Sequence, residues 1–135
     1  MGQQQLLLII LGVIVVGIAV AVGITMFTDS AISANRDAVT NDLVNLASRA
    51  QQFYRRPSAL GGGGNSFVGL TADAAGLAKL TSKSTNANGT YSVITAGTST
   101  LVVLKGLGVE KGTTGTVIDV RMSVFSDSTY VAQQN

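Results

Sequence analysis

The chain has 135 residues, a net charge of +2 and neither cysteine nor histidine. That length fits one compact domain with one appended element. The charge is too small to point to nucleic acid, and the missing residue types exclude Cys/His zinc sites, haem attachment, disulfide staples, thiol catalysis and any triad that needs imidazole.

Charged residues make up 12% of the chain, about half the usual ~25%. The shortage is local, because the first charged side chain is Asp29. Residues 6–24 are an unbroken run of apolar residues and glycine, which Thr25, Met26 and Phe27 extend. As a helix this run spans about 29 Å, close to the hydrocarbon thickness of a bilayer. It is apolar on every face and needs lipid or protein around its whole circumference. Val, Ile and the glycines Gly12, Gly17 and Gly23 weaken a helix in water. In lipid the backbone must satisfy itself, so helix is expected there. The glycines permit close helix approach, although spacings of five and six do not match G-x-x-x-G.

Three readings compete for this segment. It is a plain membrane anchor, a cleaved secretory signal, or a helix that begins in the membrane and ends in the core of a polymer. Ala31 and Ser33, either side of Ile32, would offer a signal peptidase its small residues. Against a signal, no Lys or Arg precedes the run, and the run exceeds the usual ~7–15 residues. The same lack of charge leaves orientation undecided by the positive-inside rule.

After Phe27 the pattern becomes amphipathic. Ile32, Val39, Leu43, Leu46, Ala50 and Phe53 fall on one helical face, while Arg36, Asp37, Asn41, Asp42, Asn45, Arg49 and Gln52 carry the other. Asp29 and Ser30 could cap a new helix, which would put a bend near Thr28. Pro57 should stop the helix at Arg56. A rod of about 50 residues, roughly 75 Å long, is expected. A simple anchor has no need of such a rod, whereas a subunit that stacks helices into a filament core does.

Residues 58–66 (SALGGGGNS) read as a loop, with four glycines that permit tight geometry. No P-loop lysine follows, and GLGVEKGT at 106–113 has Lys and Gly in the wrong order, so it reads as a turn-rich connection. Residues 71–80 read as a short helix capped by Thr71, with Leu77 and Leu80 inward. The period then becomes two. Strands are expected at 91–96, 100–105, 116–125 and 129–132, with turns at 97–99 and 126–128. The third is the clearest, with Ile118, Val120, Met122 and Val124 on one side and Asp119, Arg121 and Ser123 on the other. The predicted fold is α+β: a long N-terminal helix packed on a three- to four-stranded antiparallel sheet. Three regions follow: a hydrophobic segment at 1–28, its amphipathic continuation at 29–56, and a head at 57–135. Asn88 begins an N-x-[ST] sequon, a candidate glycosylation site that also reads as a turn before a strand.

An apolar N-terminal helix, an amphipathic continuation, a loop and a small antiparallel sheet together resemble a type IV pilin. Members carry a leader ending in Gly, removed by a prepilin peptidase, and usually Glu at the fifth mature position. By that resemblance Gly2 is the candidate processing site, with Gln3 the new terminus and Leu7 in fifth place. Alternatively Met1 is the mature terminus and Gln5 stands where Glu is usual. Neither register holds Glu, and the disulfide loop of many bacterial pilins cannot form. Archaeal pilins commonly lack the Glu.

The resemblance implies a structural subunit of an extracellular type IV pilus-like helical filament, not an enzyme. It would wait in the cytoplasmic membrane and then polymerise with copies of itself through the assembly machinery. Leu6, Leu7, Ile10, Gly12, Ile14, Gly17, Val20 and Gly23 would form the helix core. Gln3, Gln4 and Gln5 would supply neutral hydrogen bonds where a Glu–amine pair is usual. No cofactor, metal or nucleic acid is expected. The alternative is a pseudopilin, or a single-span envelope binding domain. An anchored enzyme would need a constellation that is missing, with no S-x-x-K and no G-x-S-x-G.

Overall fold

The computed structural model describes residues 2–134. One unbroken helix, α1 (Gly2–Arg55), carries the whole N-terminal part. At 1.5 Å per residue its 54 residues make a rod of about 81 Å. No new helix starts at Asp29. Thr25 and Thr28 turn their hydroxyls back onto the carbonyls of Ala21 and Ile24, so both polar groups are satisfied inside the rod. The helix ends at Arg55, one residue before the expected stop.

The head is a four-stranded antiparallel meander in the order β1 (Gly89–Thr95), β2 (Leu101–Lys111), β3 (Val117–Phe125), β4 (Thr129–Gln133). Its inner face presents Tyr91, Val93, Val102, Leu104, Ile118, Val120, Met122 and Val124. These pack against Ile32, Val39, Leu43, Leu46, Ala47, Ala50 and Phe53 of α1. The two expected periodicities therefore meet face to face, and every apolar residue assigned to the helix face is buried. Phe67, Leu70, Leu77 and Leu80 close the remaining side.

Two expectations need correction. The segment 106–113 is not a turn-rich connection, because β2 runs through it to Lys111. Along the inner side of β2 the residues go Val102, Leu104, Gly106, Gly108, with Val39 and Asn35 of α1 over the glycines. A Cβ on Gly106 would stand 2.6 Å from Val39 Cγ1, and one on Gly108 would collide with the Asn35 carboxamide. These glycines mark close approach of helix and strand, not a turn. The turn comes later, at Gly112–Gly115, where the Gly115 amide donates to the Gly112 carbonyl. The second correction concerns the short helix. It is α2 (Ala74–Ala78), capped by Asp73, whose carboxylate accepts from the Gly76 amide. Thr71 donates to Asp73 instead of capping the helix itself. Leu77 and Leu80 do point inward. The glycine loop holds a single 3-10 turn (Ser58–Leu60), closed by Gly61 at φ 80°.

Polar bonds fasten the head to the rod near both ends of their contact. Low down, Asn35 donates to the Asn88 carbonyl (2.9 Å) and accepts from the amides of Val109 and Glu110. High up, Gln51 donates to the carbonyl of Phe125 (3.1 Å) and Arg55 to that of Ser126 (3.4 Å).

Candidate functional site

The first half of α1 is bare. From Leu6 to Phe27 its large apolar side chains are exposed by between 52% (Val22) and 80% (Phe27). Its most apolar 18-residue window has mean hydropathy 3.2 and buries nothing, so this helix is long and apolar enough to cross a membrane. Leu6, Leu7, Ile10, Ile14 and Val20 all lie on this surface, and the chain brings none of them against the head. At Gly2, Gly12, Gly17 and Gly23 an added Cβ would meet nothing within 4 Å. Gln3, Gln4 and Gln5 are exposed at the start of the rod.

A polar cluster lies where the amphipathic half meets β1. Asp42, expected on the solvated face, is half-buried instead. One carboxylate oxygen accepts from the amides of Asn86 and Asn88 (2.9 Å each) and from the Tyr91 hydroxyl. Burial opposes ionisation of Asp42, but the bonds from Asn88, Tyr91 and Asn86 together outweigh it and hold its pKa below the usual value. The Tyr91 hydroxyl is pushed well above its ordinary range by burial, then by the bond to Asp42 and that carboxylate's charge. Asn88 Nδ2, the atom a glycan would use, is one of the donors to Asp42. The cluster ties α1 to β1 and to the loop before it.

No family model matches the chain, and neither does any curated protein or solved structure. What stands is the architecture, a long apolar-then-amphipathic helix on a four-stranded antiparallel sheet, and it is consistent with the type IV pilin fold.

Beside the cluster, a groove of ≈ 330 Å³ runs between the last turns of α1, Gly61 and the end of α2. Arg49, Arg56 and Lys79 line it with no acidic side chain among them. Two of these cations are already engaged: Arg49 donates to the Leu80 carbonyl and Lys79 to that of Gly69. Among the described residues no group of three or more acidic side chains could hold a metal ion. Asn35 and the Asp42 cluster carried no signal in the sequence. A polar residue on a helix gives no sign of which backbone groups, 50 to 75 residues away, will need it.

Proposed function

We propose that this chain is the structural subunit of a type IV pilus-like extracellular filament, held in the membrane by α1 before assembly and polymerised through it afterwards. One observation carries this reading: a single rigid helix is bare and apolar for its first half and seated on a folded head for its second. Leaving the membrane for a bundle of like helices exchanges lipid contact for side-chain packing, so close approach decides the gain. The glycines support this. Each weakens a helix by about 1 kcal/mol relative to Ala, and inside the chain none is pressed by a neighbour. Gly12 and Gly23 are eleven residues apart and leave the rod on nearly the same side, while Gly17 faces another. Neighbours could then approach from more than one direction. Head-to-tail contacts that do not close would give an open helical polymer. Gly2 remains the proposed processing site and Asn88 a candidate for a glycan that would compete with its bond to Asp42.

The deciding experiment is negative-stain microscopy of material sheared from cells, with the intact mass and N-terminal residue of the same fraction. Thin filaments that retain residues 6–27 are expected, and the terminal residue settles processing at Gly2. A fraction without filaments, with the chain held in membranes by stable partners, would favour the pseudopilin or anchored-domain reading. Replacing Gln3, Gln4 and Gln5 together by Leu should lower filament yield; unchanged yield removes the glutamines from assembly.

A further inference from the structure

The charges that stay exposed along α1 are segregated. Asp29 and Asp37 lie on its middle turns, and Arg49 and Arg55 near its end, whereas Arg36 and Asp42 are half-buried against the head. The helix dipole accounts for Arg55 in the last turn. It does not account for acids more than twenty residues from the N-terminus, because its effect fades within a turn.

Asp37 and Arg55 are eighteen residues apart, which is five whole turns at ~3.6 residues per turn. The two side chains therefore leave the rod on one line, about 27 Å apart. Asn41, Val44 and Ser48 fall near that line between them, all exposed and uncharged, with Val44 46% exposed. Leu46, nine residues (about two and a half turns) beyond Asp37, is buried on the opposite side, so the line faces away from the sheet. Below Asp37 the same line continues through Ser30 and Met26 into the bare apolar half. Among the described residues nothing pairs with the Asp37 carboxylate. The Arg55 bond to Ser126 is long and uses one of five guanidinium donors.

We propose that this face receives a second, parallel copy of the chain shifted by about 27 Å, so that Asp37 of the upper copy meets Arg55 of the lower. The inference rests on the filament reading and adds its axial register. Charge complementarity selects this occupant, and continuity with the apolar half places the two copies side by side along one surface. Each copy uses its Asp37 downward and its Arg55 upward, so the contact does not close on itself. An exposed pair stabilises little on its own. Its larger effect is on register, since a wrong offset removes the pairing and like charges brought together repel.

The test starts from filaments of the full chain. Asp37→Arg should cut filament yield roughly tenfold or more without moving the melting of the head. Arg55→Asp should cut it as far, with a small drop in the melt from the lost bond to Ser126. The double exchange should restore the yield while that small drop in the melt stays. Because the chain has no cysteine, Ser30→Cys and Ser48→Cys, both exposed and also eighteen residues apart beside that line, can be placed in one chain that keeps Asp37 and Arg55, and the filaments treated with a short bismaleimide. A ladder of covalent multimers is expected, while each single variant stays monomeric because like positions lie about 27 Å apart. Single reversals that assemble normally, a double exchange that does not recover, or filaments that give no ladder would each overturn this register and leave the filament reading standing. A native chain that forms no filaments would remove both.

Discussion

The two halves of α1 share one backbone geometry and almost nothing else. Residues 6–27 bury no side chain, whereas residues 32–53 bury seven apolar residues, two of them alanines, that form one wall of the core. Helical continuity therefore conceals two separate sources of order. The second half is held by the sheet that the same chain folds onto it. The first half exposes some twenty apolar residues whose company must come from outside the chain, lipid before assembly and sister helices after it in the proposed filament.

Substitutions in the two halves should therefore act on different observables. The largest effect is expected from Ile14→Arg, since a cation near the middle of a bilayer costs about 2.5–3.5 kcal/mol on insertion scales. Membrane flotation and filament counts should collapse while the head melts as before; a shifted melt would show that the halves are coupled. Leu104→Ala should do the reverse. It empties a fully buried position and should destabilise the head by about 2–5 kcal/mol in denaturant titration, leaving membrane partition unchanged. Gly106→Val is expected to cost about 1–3 kcal/mol by forcing β2 away from Val39. Asp42→Asn should cost about 1 kcal/mol at neutral pH and sharpen the picture through its pH dependence. Asp42 has a lowered pKa in the folded head, so its contribution is complete above the ordinary Asp value of 3.8 and is lost as pH falls through the folded value. The variant should melt with a flatter acid limb. At the other extreme, Tyr91 keeps its proton in the folded state, so stability should fall as pH rises beyond its ordinary value of 10.0.

Much of the architecture was legible because it rests on periodicity. The 3–4 spacing from Ile32 to Phe53 and the alternation from Ile118 to Val124 each name a buried face without reference to anything distant. Glycine was ambiguous for a physical reason. Gly106 and Gly108 look like turn residues in one dimension, and only the crossing of α1 reveals that they make room. Thr71 and Asp73 are both good caps, and which of them caps depends on where the backbone enters the helix. The bare surface of residues 6–27 was legible from composition alone. The polar fastenings were not, since Asn35, Asp42 and Gln51 find their partners 44 to 77 positions along the chain.

The spread of heights at which the head is fastened has a mechanical consequence. Asn35 and Gln51 are sixteen residues apart, about 24 Å along the rod. A pull on the head is thus resisted at separated points, with the Asp42 bonds between them, and cannot swivel it about one. The force passes into the helix above Asn35 and travels down a single uninterrupted strut. In the proposed filament under tension, the first element to yield should be the contact between neighbouring rods, with the head still seated on its own.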